Sequence, residues 1–464
     1  MRFLVTLGDT TSLCTKTSLK RVFSVAAAKG CFINLSLHGS VALALLWVSV
    51  FPVTSLAQAD RNGTPLVEAY LISGKLSAGE KKIRELLNER PDDDQARMSL
   101  AVLQFFQMLE HFGQGLYELG PRQEFAGSLE IGLPWNPFQN MSLPDNPNPQ
   151  VAHLKDLHRL VQRMIDDLAQ LDATLAQIKS NDVKLPLRLF RFNLDINQDG
   201  RIGPAENLKS FYGQYLGDFP DGRDANRAPR RRPEDIVVVF DRADVEWLRG
   251  YTSLLRGAGE LFLAYDQTEL WDVIASRTFK KPDIKNKFLL EEEKTGLHDI
   301  NNQILDLIAS IHNARFPLKH ADRVKKAQQH FKQTIAHSRV MWKLVNSETD
   351  NDREWLPSAS QQAAITNIRI TGRMTNTWGE FLDECQAILE GKKLIPFWRG
   401  NQADRGINLD KFFTNPREID VVLWFHGAAA LPYLETGDVT SESDWNRFQR
   451  EFGGELFGFA MWIN

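Results

Sequence analysis

The sequence has few cysteines, few strand-like segments and no long apolar run beyond its N-terminal region. Three cysteines occur in 464 residues, and Cys14 and Cys31 lie in a basic leader. Only Cys385 remains downstream, so an intramolecular disulfide is excluded there, and packing must stabilise the fold. A single cysteine also excludes a cysteine-rich zinc or iron–sulfur centre, so we expect Cys385 to pack as a small apolar residue in a helix.

Motifs of the common enzyme classes are missing as well. The chain has no GxSxG sequence, phosphate-binding loop or dinucleotide fingerprint. His153 and His158 are five residues apart, whereas zinc helices of the HExxH type place histidines four apart. Since no catalytic residue can be named, a noncatalytic role is favoured and an enzymatic one stays open.

Composition predicts an ordinary globular protein. Apolar residues make up 43% of the chain and charged residues 25%, which suits two or three domains with normal cores. The formal net charge is −4. This mildly acidic balance argues against nonspecific binding of nucleic acid, so no nucleic-acid partner is expected.

The N-terminal leader predicts export. Residues 41–57 form a short apolar core that ends in Ser55-Leu56-Ala57, with small residues at the −3 and −1 positions before Gln58. We interpret residues 1–57 as a cleaved signal peptide, the alternative being an uncleaved anchor. The mature chain is then periplasmic or extracellular, without a transmembrane helix.

Residues 58–120 are predicted to form helical hairpins. Gly74 and Pro91 bracket a helix with Ile83 on its inward face. This spacing resembles the second helix of a tetratricopeptide (TPR) unit, and such arrays imply a docking surface for a protein or peptide. The alternative is a helical hairpin outside any particular family.

The remaining chain is also read as helical. Residues 120–150 are rich in Pro, Asn and Gly and predict a loop, and residues 151–216 predict a helix followed by a loop region. Residues 236–464 are expected to form a larger C-terminal helical domain, with helices near 299–313, 319–346, 359–391, 416–434 and 442–460. The predicted fold class is therefore all-α or nearly so.

Residues 195–206 carry the most specific pattern. Oxygen-bearing residues occupy loop positions 1, 3, 5 and 12, with glycine at 6 and an apolar residue at 8: Asp195, Asn197, Asp199, Glu206, Gly200 and Ile202. This pattern resembles the calcium-binding loop of EF-hands. The resemblance implies a bound Ca²⁺, with a backbone carbonyl from Arg201 and flanking helices at 185–193 and after Pro204.

EF-hands usually occur in pairs, but this sequence contains no second loop of that pattern. We expect the strand-like run Ile236–Phe240 to pair with Ile202 instead. Constitutive calcium occupancy outside the cytoplasm indicates a structural ion in a scaffold, and a calcium sensor is a weaker alternative. The other alternative is a cell-envelope enzyme whose site lies in the aromatic-rich C-terminal part, where aromatic packing in a core is the simpler interpretation.

Overall fold

The computed structural model describes residues 66–122, 143–210, 233–290, 297–365, 369–400, 402–454, 456 and 460. Within these ranges the chain is largely helical, which confirms the helical fold class. The helices are α1 (Leu66–Ser73), α2 (Leu76–Glu89), α3 (Asp94–Leu119), α4 (Leu154–Leu175), α5 (Arg242–Ala264), α6 (Thr268–Thr278), α7 (Leu297–His312), α8 (Ala321–Val345), α9 (Gly372–Leu389), α10 (Leu409–Thr414), α11 (Val421–His426) and α12 (Glu442–Glu451). The predicted signal peptide, 1–57, lies outside the described residues.

In the described part of the chain, seven short strands accompany the helices: β1 (Leu185–Leu187), β2 (Val238–Phe240), β3 (Arg315–Phe316), β4 (Ile395–Pro396), β5 (Arg405–Ile407), β6 (Ile419–Asp420) and β7 (Leu434–Thr436). They form the antiparallel pairs β1–β2 and β3–β6 and a three-stranded sheet in the order β4-β5-β7. Among the described helices, none is long and apolar enough to cross a membrane.

The first three helices form consecutive hairpins whose boundaries follow local sequence signals. Gly74 has a φ of +65°, which suits the sharp turn between α1 and α2. Asp93 caps α3 by accepting a hydrogen bond from the amide of Ala96 at 2.9 Å. Gly120 ends α3 in the left-handed conformation. These hairpins agree with the predicted helices, without distinguishing a TPR unit from another hairpin.

Helix α5 is shared between the two largest hydrophobic cores. Val245, Leu255 and Phe262 pack in the N-terminal core with α3 and α4, whereas Trp247 and Tyr251 pack in the C-terminal core with α8 and α9. Its start is a capping box, in which Asp241 and Asp244 each accept a backbone hydrogen bond from the other. One long helix therefore joins both halves of the protein.

The segment before the 195–206 loop is not the helix that the sequence predicts. Residues 185–187 form a strand, followed by a short 3₁₀ turn over Leu189–Arg191. Leu185 and Leu187 are both buried and pair with Phe240 and Val238. Pairing with the valine-rich strand β2 overrides the weak local helix preference, because alternate side chains can then be buried.

The C-terminal part is less helical than predicted. Instead of one helix near 416–434, the structure has β6, the six-residue α11, a 3₁₀ turn and β7. Gly427, with a φ of +98°, ends α11. Helix α9 begins at Gly372 rather than near 359. Thr371 is its N-cap, and its side chain accepts a hydrogen bond from the amide of Met374.

Most described aromatic residues of this part are packed, as the simpler sequence interpretation expects. Phe381 makes edge-to-face contacts with Trp445 and Phe448, with ring centroids 5.8 Å apart in each pair. Cys385 packs against the same core, as expected of a small apolar residue. Phe425 differs, because 59% of its surface is exposed.

Candidate metal centre

The 195–206 loop adopts a tight turn stabilised by its own side chains. Oδ2 of Asp195 accepts a hydrogen bond from the amide of Gly200 at 3.1 Å. Oδ1 of Asn197 accepts from the amide of Asp199 at 3.0 Å, and Oδ1 of Asp199 accepts from the amide of Arg201 at 2.7 Å. Gly200 has a φ of +74°, a conformation that glycine adopts readily because it has no Cβ. The three side chains at positions 1, 3 and 5 therefore turn back onto the loop.

Glu206 joins the other end of the loop to its beginning. It lies in a 3₁₀ turn, Pro204–Glu206, and its surface is only 1% exposed. Its Oε1 accepts from the amide of Asn197 at 3.0 Å, and its Oε2 accepts from the amide of Gly203 at 2.6 Å. A buried carboxylate at position 12 thus faces the backbone of positions 3 and 9.

A short antiparallel bridge closes the neck of the loop. Asn193 pairs with Asn207, with hydrogen bonds from the amide of Leu194 to the carbonyl of Glu206 at 2.9 Å and from the amide of Leu208 to the carbonyl of Phe192 at 2.8 Å. Residues 208–210 then begin a helix. The rest of the expected exiting helix, up to residue 216, lies outside the described residues.

Three polar side chains of α3 form hydrogen bonds with the loop. Oε1 of Glu110 accepts from the amide of Asp195 at 2.9 Å, and Nε2 of Gln114 donates to the carbonyl of Asp195 at 2.8 Å. One turn further on, Oε1 of Glu118 accepts from Nε2 of Gln198 at 3.0 Å. Sequence reasoning missed these three residues, although their four-residue spacing along one side of α3 was a usable signal.

Two isoleucines of the loop pack against glycines. Ile196 is 1% exposed and lies against α3 so closely that a Cβ at Gly113 would be 2.4 Å from its Cδ1. Ile202 lies against Gly74, where a Cβ would be 2.7 Å from its Cδ1. The expectation that Ile202 pairs with Ile236–Phe240 is therefore wrong, because β2 pairs with residues 185–187 and Ile202 lies on the α1–α2 turn.

Helix α1 binds the segment that enters the loop. The amide of Asn193 donates to the carbonyl of Leu71 at 3.0 Å. Glu68, whose side chain is 1% exposed, accepts from the amide of Arg188 and from its guanidinium, both at 2.7 Å. The loop is thus supported by α1, α3 and the α1–α2 turn together.

The donor set fits a hard divalent cation. Each side chain at positions 1, 3, 5 and 12 offers an oxygen ligand, and three of the four side chains are carboxylates. Oxygen is the ligand type that calcium takes. Oδ1 of Asp195 is inaccessible to solvent and has no hydrogen-bond partner in the described part of the chain. A buried carboxylate oxygen without a partner is costly in a protein, and a cation would satisfy it.

The acidic surroundings of the loop point the same way. Burial raises the pKa of Glu110 to about 7, and the nearby charges of Asp195 and Glu206 add to that shift. Like charges collected in one partly buried place repel one another unless a cation offsets them.

A second acidic group lies elsewhere. Asp241, Glu348 and Glu354 offer carboxylate oxygens that all lie within 4.8 Å of one another, and it is the one such group among described His, Cys, Asp and Glu residues. The 195–206 loop does not meet that distance condition. Ligands on opposite sides of a calcium ion are about 5 Å apart, so a calcium loop need not meet it.

An apolar cavity of about 80 Å³ lies beside this second group, between α3 and the start of α5. Phe105, Phe106, Leu208 and Trp247 are among its walls, and Asp244 is the one titratable residue of those described that line it. Burial, followed by the charge of Asp241, raises the pKa of Asp244 well above its ordinary value. The cavity therefore borders a carboxyl group that favours its neutral form.

Comparisons of the chain with protein families, with curated proteins and with solved structures found no match, so both sites are interpreted from their own geometry.

Proposed function

We propose that this chain is an exported calcium-binding protein in which one Ca²⁺ has a structural role. The side chains of Asp195, Asn197, Asp199 and Glu206 would hold the ion, together with the backbone carbonyl of Arg201. The observation that carries the proposal is the buried and unpartnered Oδ1 of Asp195, at the first position of a loop that already has the required turn.

The ion would supply positive charge to three carboxylates that share a small volume. This chain's residues do the rest: Glu206 keeps the ends of the loop together, and Glu110 and Gln114 fix the backbone of Asp195. Since α1 and α3 also contact the loop, a bound ion would couple the N-terminal hairpins to the segment that follows β1 and, through the β1–β2 pair, to α5. Binding to the folded state alone would then raise the free energy of unfolding.

We infer a scaffold role, in which the α1–α3 hairpins present a surface to a protein or peptide partner. Helical hairpins commonly serve this purpose because their outer faces are rigid and extended. In a calcium-rich compartment the ion would be permanently bound, which suits a scaffold better than a sensor.

The test is a calorimetric titration with calcium of the mature chain from Gln58 onward, beside Glu206→Gln and the control Glu442→Gln on an exposed part of α12. We expect one ion per chain and a higher melting temperature with calcium in the parent and control. The Glu206→Gln variant should lose both. Equal binding by all three proteins, or no binding at millimolar calcium, would remove the proposal.

The cell-envelope enzyme is the second candidate, and one observation favours it. Carboxyl groups from distant positions, Asp241, Glu348 and Glu354, come together beside the apolar cavity with raised pKa values. Perturbed carboxyl groups at a cavity are typical of active sites. Screening the parent and Glu354→Gln against envelope substrates would test it, and an activity present in the parent and lost in a folded Glu354→Gln would replace the noncatalytic proposal.

A further inference from the structure

Helices α7 and α11 present an apolar surface to solvent. Seven large apolar residues on them are between 44% and 59% exposed: Ile304, Leu305, Ile308, Ile311, Val422, Leu423 and Phe425. We call this set the α7–α11 face. Of the described side chains of these two helices, none is buried.

The two helices are neighbours, because the C-terminal end of α7 lies beside the start of α11. Strand β3 follows α7 and pairs with β6, which leads directly into α11. The amide of Val421 donates to the carbonyl of Ala314 at 3.0 Å, next to the end of α7. Ile304, Ile308 and Ile311 share one side of α7, because residues four and seven apart lie on the same helix face.

The face is at the upper end of the apolar patch sizes found on monomers. Taking roughly 150–200 Å² for each of these mostly aliphatic residues when fully exposed, the seven exposed fractions amount to roughly 500–700 Å². Contiguous apolar patches on monomers rarely exceed about 600 Å², whereas a standard protein interface buries about 800 Å² on each partner. The face therefore has nearly the area that a stable pairwise contact needs.

Charge indicates which partner fits. Residues 297–312 and 421–426 contain no lysine or arginine. Asp306 of α7 is paired with Arg277, and at the edge of the face Arg315 is paired with Glu418. Helices that lie on membranes usually carry free basic residues beside their apolar face, so this surface is poorly suited to an anionic lipid layer. A face whose described carboxylate, Asp306, is already paired, and which has no lysine or arginine, can by contrast meet its own copy without strong repulsion.

We propose that the α7–α11 face is the contact surface of a homodimer, in which each copy covers the apolar residues of the other about a twofold axis. The proposal does not depend on the calcium site, which lies on a different part of the chain.

The experiment measures molar mass by light scattering and sedimentation between about 1 and 100 µM protein, a range that spans ordinary dimer affinities. The parent should be dimeric. The dimer of the variant Leu305→Glu/Phe425→Glu should be at least about tenfold weaker than that of the parent. Val151→Glu is the matched control, since Val151 is 50% exposed outside the face, and it should leave the dimer intact.

Ile308→Gln is a milder second variant, and circular dichroism shows whether each variant keeps its helix content. A monomeric parent at every concentration, or a dimer that tolerates all α7–α11 substitutions, would overturn the proposal. Sedimentation of the parent with phosphatidylglycerol vesicles, lost in Leu305→Glu/Phe425→Glu, would assign the face to lipid instead. Glu206→Gln should remain dimeric, which separates this result from the outcome for calcium.

Discussion

The backbone amide of Asp195 donates a hydrogen bond of 2.9 Å to Oε1 of Glu110 on α3. This contact joins the first position of the candidate metal loop to the middle of the longest described helix. Gln114, one turn further along α3, binds the carbonyl of the same residue. Both polar groups of the Asp195 backbone are therefore fixed by a rigid element before any ion binds.

Gln114→Ala should weaken calcium binding by about tenfold or more, because supporting residues outside the ligand set commonly have effects of that size. The variant removes the donor to the Asp195 carbonyl and leaves every proposed ligand in place. Calorimetric titration measures the change. Gln170→Ala, at an exposed position of α4, is the control and should bind as the parent does. Unchanged affinity in Gln114→Ala would show that α3 does not organise the loop.

Gly113→Ala should destabilise the protein by about 1–3 kcal/mol, the usual effect of overpacking. Its new Cβ would lie 2.4 Å from Cδ1 of Ile196, which is buried and cannot move freely. Urea unfolding gives the free energy change. Gly379→Ala on α9, where an added Cβ meets nothing within 4 Å, is the matched control and should not be destabilised. Adding Ile196→Val should relieve part of the Gly113→Ala effect, and an additive double variant would contradict this contact.

Glu68→Gln should cost about 1–3 kcal/mol of stability, because it removes one charge from a mostly buried pair with Arg188. The matched control is Glu80→Gln, which removes a more exposed helical pair with Arg84 and should cost about 0.5 kcal/mol or less. Urea unfolding at neutral pH measures both. Equal effects of the two variants would mean that α1 does not anchor the segment entering the loop.

The acidic group around Glu348 and Glu354 should make stability fall as pH rises. Burial raises the pKa of Glu348 to about 8 and that of Glu354 to about 7, from 4.5 in each case. The folded state therefore holds protons that the unfolded chain releases, so stability declines from about pH 4.5 to pH 8. We expect a loss of roughly 1–3 kcal/mol per group after allowing for solvent screening.

Other charges near this group are Asp241, Asp244, Asp350, Asp352 and Lys184. Lys184 is ion-paired with Asp350 and Asp352. Its positive charge is therefore largely neutralised and does little to lower the raised pKa values of Glu348 and Glu354. Chemical unfolding at pH 5, 6.5 and 8, in the parent and in Glu348→Gln and Glu354→Gln, provides the measurement. Each variant should flatten the decline, and a parent whose stability rises over this range would contradict the assignment.

Local features of the fold could be read from the sequence because they depend on neighbouring residues. Gly74 lies at a predicted helix boundary, and Gly120 ends α3 where the predicted hairpins give way to the Pro-, Asn- and Gly-rich loop. The turn at Gly200 follows from the same rule, since glycine tolerates a positive φ. The loop pattern from Asp195 to Glu206 was recognisable because its ligand positions and its turn lie within twelve consecutive residues. Its occupancy by calcium stays a prediction.

Tertiary packing decided what the local pattern could not. Residues 185–187 became a strand because β2, some fifty residues later in the chain, offers them backbone partners. The support of the loop by Glu110, Gln114 and Glu118 also joins positions that are distant in sequence. The sequence alone determined the largely helical character of the chain and the residues that could bind a hard cation. Only the folded chain decided which helices hold that loop, which acids become buried together and which apolar face stays exposed, since each depends on distant segments meeting in space.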